Sequence, residues 1–290
     1  MPYVTASDGC RLYYEVKGKA DGQALFVTYP WTDALAEAFG ELGVGDVEAL
    51  KNGARTFIDA LGEHYKIVHF DYPRGVGKSE RKSEDLTADT VATDYLAVAD
   101  AAGVDRFVAL GYSWSANAAL QVAIRTQRCA GVAIGGWPPL SGPYEALLDF
   151  VTKSNDGLSG WFMRLITRNK IIRRFIPNNK LNALTNMANM MESVANYYKS
   201  VVGKWNEEEE IAKLTGPQIT YFGSDDIGVP STKMLVPLAE NNRKRKDDLE
   251  RLGWRVVEIP GYDHESLLQD SSGLKEVSSL LLDELEPYQW

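Results

Sequence analysis

The sequence predicts an α/β protein with a mostly parallel, doubly wound sheet and an inserted all-helical segment. Short apolar runs separated by turn residues are typical of buried strands. Such runs occupy 11–16, 24–29, 66–71, 106–111, 129–134, 218–222 and 255–259. Helical patterns lie between several of these runs, and strands that alternate with helices form parallel βαβ units in one sheet.

The helical patterns also define the domain organisation. They cover 86–102, ended by Gly103, then 114–125 and 265–285. After Gly136 the alternation stops, because 137–216 has helical periodicity and no convincing strand. A chain of 290 residues fits one large α/β domain with an insertion. We therefore expect residues 1–136 and 216–290 to form the core and residues 137–215 to form a helical cap.

One helical stripe within the insertion is apolar, and the basic residues around it mostly point elsewhere. The stripe contains Trp161, Phe162, Leu165, Ile166, Ile172, Phe175 and Ile176. The basic residues are Arg164, Arg168, Lys170, Arg173 and Arg174. This pattern favours an ordinary amphipathic surface helix, whose apolar side is buried and whose basic side is solvated.

Composition narrows the class of partner. The net charge of −9 disfavours binding to a phosphate backbone or to anionic lipid headgroups, so no nucleic acid is expected. No apolar run approaches the roughly 20 residues needed to span a bilayer, and the first residues lack the pattern of a signal peptide. These features favour a cytoplasmic protein in which Cys10 and Cys129 are reduced thiols. Composition and charge are compatible with a homodimer and do not determine the oligomeric state.

The sharpest local signal is a serine between a strand and a helix. Gly111-Tyr112-Ser113-Trp114-Ser115 follows an apolar strand and precedes a helical run. A serine on such a tight turn has a strained backbone that exposes its hydroxyl, and small residues two positions away let strand and helix approach. The amide of Trp114 would then lie at a helix N-terminus, which favours a developing oxyanion.

This segment resembles the nucleophile elbow of the α/β-hydrolase family, which reads small-x-nucleophile-x-small. The resemblance extends over most of the predicted core and implies that Ser113 is the nucleophile. Ser115 is the competing serine of the same motif. Its neighbour two positions on is Asn117, which is larger than the family usually allows, so Ser113 is preferred.

In this family the acid follows the nucleophile in the chain, and the histidine follows the acid. The segment 223–230, after the sixth predicted strand, is similar to the family's G-x-x-D-x-x-x-P segment. Gly223, three residues before, and Pro230, four residues after, select Asp226 as the acid. The adjacent Asp225 stays open as the alternative. If an aspartate here has only a structural role, it would be a turn or N-cap residue.

The chain contains three histidines, and only His264 follows both Ser113 and Asp226. It lies in a loop beyond the last predicted strand, similar to the family's terminal histidine loop. We expect His69 to be a core or strand-end residue and His64 to be a surface or helix-end residue.

Two further segments resemble the family. Residues 71–79 are similar to a glycine-containing loop that begins with Asp and ends with Ser, where the role is structural. Tyr29-Pro30-Trp31 replaces the His-Gly dipeptide that often precedes an oxyanion-hole residue. The resemblance then implies that the amides of Trp31 and Trp114 form the oxyanion hole.

Aromatic and methionine side chains are candidates for the substrate pocket, although ordinary packing explains each one singly. The candidates are Tyr29, Tyr112, Trp137, Trp161, Phe162 and Met190.

The resemblance implies a serine hydrolase, carboxylesterase-like, that cleaves a small to medium carboxylic ester, thioester or lactone with an apolar part. It implies no metal and no organic cofactor. Carbon-carbon bond hydrolysis, acyl transfer and amide hydrolysis on the same three residues remain alternatives. So does a small-ligand receptor that kept the fold and lost turnover.

Overall fold

A computed structural model describes residues 3–28, 33–41, 46–82, 86–230 and 234–290. Its centre is an eight-stranded sheet in the order β1-β2-β4-β3-β5-β6-β7-β10. Strands β1 and β2 run antiparallel to their neighbours, and all other pairs are parallel. The strands of this sheet are β1 (Tyr3–Thr5), β2 (Arg11–Gly18), β3 (Ala24–Val27), β4 (Lys66–Phe70), β5 (Phe107–Tyr112), β6 (Cys129–Gly135), β7 (Gln218–Gly223) and β10 (Arg255–Ile259). The predicted fold class is confirmed.

Helices cover both faces of the sheet. They are α1 (Asp33–Glu41), α2 (Val47–Gly62), α3 (Ala88–Ala101), α4 (Trp114–Arg125), α5 (Tyr144–Asp156), α6 (Leu158–Arg168), α7 (Asn178–Val201), α8 (Glu207–Ile211), α9 (Leu238–Lys244), α10 (Lys246–Arg251), α11 (Ser266–Gln269) and α12 (Ser271–Leu285). A 3₁₀ turn, Ile172–Phe175, lies between α6 and α7. None of the helices in the described ranges has the length and apolar character needed to cross a bilayer.

Alternate side chains of strand β5 contribute to the hydrophobic cores on the two faces of the sheet. All residues of the strand are buried. Phe107 and Ala109 pack with α3, α4 and α7, whereas Val108 and Leu110 pack with α2, α11 and α12. A strand buried on both faces reads as a continuous apolar run, which is why the sequence identified it.

The shortest strands were not predicted from the sequence, and two helices were predicted as one. The sequence did not identify β1 or the hairpin of β8 (Gly228–Val229) and β9 (Met234–Leu235). The single helix expected over 265–285 is two helices, because Asp270 adopts an extended conformation between α11 and α12. Both cysteines are buried free thiols.

Helices α5 to α8 all lie between β6 and β7 in the chain. Here one prediction is wrong: the apolar stripe of α6 is at most partly buried, with Leu165 and Ile166 half-buried. Trp161 and Phe162 are 54% and 55% exposed, whereas Gly160 and Thr167 face inward. The reason is close packing, since a Cβ at Gly160 would lie 2.0 Å from the carbonyl oxygen of Asn155. The small side of α6 therefore faces the protein.

The predicted stripe also does not continue as one helix. Helix α6 ends before Asn169, which has φ −79° and ψ 115°. Its side-chain oxygen accepts hydrogen bonds from the amides of Ile171 at 2.9 Å and Ile172 at 3.2 Å. An asparagine that binds nearby amides in this way competes with helix continuation.

Candidate active site

Ser113 occupies a strained turn between β5 and α4. Its φ of 57° and ψ of −126° fall in a region that residues with side chains rarely adopt. The Ser113 amide donates to the carbonyl of Gly135 at 2.8 Å, and the Ser113 carbonyl accepts from Ala116 at 3.0 Å. A Cβ at Gly111 would lie 2.4 Å from the carbonyl oxygen of Ser115, so only glycine fits there. The side chain of Ser113 is half-buried.

Ser115 has a different environment. Its hydroxyl accepts a hydrogen bond from the Tyr112 amide at 2.9 Å and donates to the Tyr112 carbonyl at 3.0 Å. The residue is fully buried. The hydroxyl of Ser115 thus braces the turn that presents Ser113.

Two adjacent carboxylates follow β7, and they point in different directions. Asp226 is fully buried, and its Oδ2 lies 2.9 Å from Nδ1 of His264. Its Oδ1 accepts the amide of Gly228 at 3.0 Å. Asp225 is exposed and accepts a hydrogen bond from the hydroxyl of Ser224 at 2.9 Å. The carboxylate that meets the histidine is therefore Asp226.

The loop that carries His264 is held on both sides of the residue. Asp263 Oδ1 accepts the amides of Glu265 at 3.1 Å and Ser266 at 2.7 Å. Burial opposes ionisation of Asp263, but these hydrogen bonds outweigh it and lower its pKa. The phenol of Tyr112 donates to the His264 carbonyl at 2.9 Å. With 3% exposure, the imidazole sits in a largely dry environment.

The turn at the end of β6 links Ser113 to the His264–Asp226 pair. Gly135 accepts the hydrogen bond from the Ser113 amide. Gly136 has φ +58°, and a Cβ on it would lie 2.8 Å from Cε1 of His264. Glycine at 136 therefore lets the imidazole approach the strand end next to the one that carries Ser113. The three residues come from the ends of β5, β7 and β10, which is where ligands bind in open α/β sheets.

The predicted oxyanion hole has one donor within the described residues, the amide of Trp114. Tyr29, Pro30 and Trp31 lie outside the described residues. Trp114 is the first residue of α4 and is buried, with its ring packed edge-on against Tyr197 at 6.4 Å.

The remaining pocket candidates fall into two groups. Tyr112, Trp137 and Met190 are 1%, 2% and 7% exposed and belong to the packed interior. The hydroxyl of Tyr112 binds the histidine loop, so this residue positions that loop. Trp161 and Phe162 lie on the exposed side of α6.

A buried polar network that the sequence did not reveal joins α4 to the insertion. Asn117 donates from Nδ2 to the hydroxyl of Tyr144 at 2.9 Å and accepts from the hydroxyl of Tyr197 at 2.6 Å. The partners come from α5 and α7. A polar residue, Asn117, within an otherwise apolar helical run is the sequence signal of this network. The sequence does not reveal its partners, which lie 27 and 80 positions away.

The 71–79 loop forms a second charged centre. Arg74, 1% exposed, binds Asp94 through Nε at 2.8 Å and Nη2 at 2.6 Å, and binds Asp8 at 2.6 Å. Asn189 of α7 donates to the carbonyl of Gly75 at 2.7 Å, which ties the loop to the insertion. Within the described ranges, no group of three or more His, Cys, Asp or Glu side chains is placed to hold a metal ion.

The chain belongs to the alpha/beta hydrolase family, whose model matches residues 45–279. No curated protein matches the sequence significantly. Among solved structures, it is similar to the enol-lactonase from Burkholderia xenovorans LB400, with 17% identity, a TM-score of 0.60 and coverage of 98% of this chain and 100% of that one. It is also similar to a thermophilic esterase from Thermogutta terrifontis, with 17% identity, a TM-score of 0.61 and coverage of 98% and 97%. An epoxide hydrolase from hot-environment metagenomes matches with 17% identity, a TM-score of 0.62 and coverage of 98% and 97%. At these identities the likeness concerns the fold.

Proposed function

We propose that the protein is a serine hydrolase that cleaves a small to medium carboxylic ester, thioester or lactone, with Ser113 as nucleophile. One observation carries this proposal: the strained turn with Ser113 and the buried His264–Asp226 pair lie at the same edge of the sheet, where β5, β7 and β10 end. A nucleophile, a base and a group that orients the base are the minimum set for acyl transfer through a covalent intermediate.

Each residue of the set has a defined step. Asp226 holds Nδ1 of His264 in its protonated form, so Nε2 is the nitrogen that accepts the Ser113 proton. The serine oxygen bonds to the substrate carbonyl carbon, and the proton on His264 passes to the leaving alcohol as the bond between carbonyl carbon and leaving group breaks. Water then gives a proton to His264 and attacks the acyl-enzyme. The bond between the acyl carbon and the Ser113 oxygen breaks, and His264 returns the proton to that oxygen, which releases the acid and restores Ser113.

The developing oxyanion needs hydrogen-bond donors. The amide of Trp114 is the first of α4, and helix N-termini favour negative charge. We propose this amide as one donor and the amide of Trp31 as the second.

The choice of serine favours acyl chemistry over epoxide opening. A serine oxygen that opens an epoxide forms an ether, which water does not readily hydrolyse, whereas an acyl-serine is an ester that His264 and water can cleave.

We further propose that residues 137–215 act as a cap on a core formed by 1–136 and 216–290. The insertion packs aromatic side chains against the helix that follows Ser113: Tyr197 lies edge-on to Trp114 at 6.4 Å, and the hydroxyl of Tyr144 accepts a hydrogen bond from Asn117 at 2.9 Å. An aromatic interior of this kind favours substrates with an apolar part.

A serine-directed fluorophosphonate probe tests the proposal directly. We expect the probe to label the wild type at Ser113, as mapped by peptide mass spectrometry. Ser113→Ala should abolish labelling and lower kcat/KM for nitrophenyl esters on the order of 10⁴- to 10⁶-fold, because the nucleophile is removed. Ser159→Ala, a change at an exposed serine of α6, is the matched control and should retain both. Matched ester, thioester, lactone and anilide substrates then define the bond that is cleaved.

Two results would contradict the proposal. One is labelling of a serine other than Ser113. The other is full ester turnover by Ser113→Ala when its circular dichroism spectrum and melting temperature equal those of the wild type.

A further inference from the structure

Apolar side chains are exposed along α6 and the 3₁₀ turn that follows it. Five of them leave more than half of their surface in solvent: Leu158 at 81%, Trp161 at 54%, Phe162 at 55%, Ile171 at 68% and Phe175 at 83%. Exposed apolar residues occur singly on most proteins, but a group of this size in one short stretch marks an interaction surface. We call these five residues the apolar ridge.

The ridge lies in the most basic part of the chain. Between Asp156 and Glu192 the sequence contains no Asp or Glu. It contains Arg164, Arg168, Lys170, Arg173, Arg174 and Lys180. The chain as a whole carries a net charge of −9, so this stretch is a local reversal of sign.

Four of these cations, including Lys180, are exposed and available to a partner, and the other three of them are interspersed with the ridge residues in the sequence or adjoin them. Arg168 pairs with Glu192 at 2.7 Å, and Arg164 is bound to Asn155. Lys170, Arg173 and Arg174 are exposed, and none of them forms an ion pair within the part of the chain that the structure describes. Free cations beside an apolar ridge offer two kinds of contact to one partner.

We propose that the apolar ridge and Lys170, Arg173 and Arg174 form a docking surface for an anionic lipid bilayer. Aromatic and aliphatic tips on one side of a short helix, next to lysine and arginine, are the features of segments that lie in the headgroup region. Helix α6 has 11 residues and is about 16 Å long, so it can lie along the interface but cannot span it. The acidic remainder of the protein is repelled by the same headgroups, which orients the chain with this surface toward the lipid.

A second copy of the chain is a weaker candidate for the occupant. A symmetric dimer joins the same patch on both subunits. The two basic clusters would then face each other, which opposes association. An anionic bilayer instead complements both the cations and the ridge.

Vesicle co-sedimentation with the full chain tests the proposal. We expect binding to vesicles of phosphatidylcholine mixed with phosphatidylglycerol, much weaker binding to phosphatidylcholine alone, and a loss of binding at high salt. Replacing Lys170, Arg173 and Arg174 together with Gln should weaken binding about 100-fold, since each cation near an anionic surface contributes about five-fold. Trp161→Ser with Phe162→Ser should weaken it about ten-fold or more.

Matched controls separate the surface from general charge and apolarity. Replacing Lys19, Lys244 and Lys246 with Gln changes the net charge by the same amount as the triple variant of the docking surface, but on other exposed surfaces. This control should leave binding within about two-fold of the wild type. Leu235→Ser with Tyr288→Ser removes exposed apolar groups elsewhere and should also leave it unchanged. Both surface variants should retain the wild-type melting temperature, because the replaced side chains are exposed.

Brominated lipids supply a second measurement. They should quench tryptophan fluorescence of the wild type more than that of Trp161→Phe, since Trp161 is the indole in the ridge. Equal binding to neutral and anionic vesicles, or binding that survives both surface variants, would overturn the proposal. A dimer in solution that dissociates on Trp161→Ser would assign the ridge to a second copy and would overturn it as well.

Discussion

Two buried aspartates of this molecule have partners of different kinds. Asp94 and Asp226 are both fully buried. Asp94 meets Arg74 through two hydrogen bonds and accepts a third from the hydroxyl of Tyr72 at 3.1 Å. Asp226 meets His264 through one, with the amide of Gly228 on its other oxygen. The first carboxylate faces a permanent cation and the second faces a ring that is charged only when protonated.

This difference suits the first pair to a structural role and the second to the catalytic role that we propose for it. A guanidinium stays charged at any working pH, so the Arg74–Asp94 pair is balanced wherever Asp94 is ionised. Burial raises the pKa of Asp94, and the hydrogen bonds from Arg74 oppose that rise. Through Asp8 and the loop contacts to α7, the pair anchors the insertion to the core. His264 instead gains a charge only when it takes a proton, which makes Asp226 suited to a transient imidazolium.

The largest expected effect comes from neutralising the second pair. Asp226→Asn should lower kcat/KM for the preferred ester on the order of 10⁴-fold, because the amide stabilises neither the productive ring tautomer nor the imidazolium. Asp225→Asn is the matched control on the exposed neighbour and should change kcat/KM less than about three-fold. If Asp225→Asn were the inactive variant, the roles assigned to the two carboxylates would be reversed.

Breaking the first pair should instead affect stability. Arg74→Met leaves Asp94 buried without its cation, so we expect the free energy of unfolding to fall by about 3–5 kcal/mol in urea titrations. Adding Asp94→Leu removes the uncompensated charge and should recover most of the loss. A double variant as unstable as Arg74→Met alone would show that the loss comes from the loop and not from the ion pair.

The comparison also shows which parts of the site could be predicted from sequence. Ser113, Asp226 and His264 were selected by their order and by local patterns at strand ends, and the structure brings Asp226 and His264 together. Their catalytic roles stay predictions. The Arg74–Asp94 pair was not identified, since a lone arginine in a loop and an aspartate in a helix carry no pattern that links them.

The fold shows the same limit. Buried strands were predictable because a short, continuous apolar run between turn residues is typical of a strand that is covered on both faces. Strands of two or three residues, such as β1, are too short to show a period. Periodicity located the stripe of α6 but not the side of the helix that is buried. Close packing of Gly160 against α5 decides that, and the sequence does not show this contact.

The smallest expected effect concerns Asp71, a third buried carboxylate, whose pH dependence differs from that of a paired one. Burial raises its pKa from 3.8 to about 6, and a hydrogen bond from the Lys78 amide at 2.8 Å only partly offsets this. In the unfolded chain the carboxyl group of Asp71 ionises near its ordinary pKa, whereas in the folded protein it keeps its proton until about pH 6. Its contribution to the free energy of unfolding therefore falls as pH rises through this window and stays low above it.

Asp71→Asn cannot ionise and can still accept a hydrogen bond from the Lys78 amide. Relative to the wild type, it should gain about 2–3 kcal/mol between about pH 4 and pH 7. Urea titrations of both proteins at the two pH values measure the change, and Asp59→Asn on the surface of α2 should show none. A stability difference that does not vary with pH would mean that Asp71 ionises equally in the folded and unfolded states.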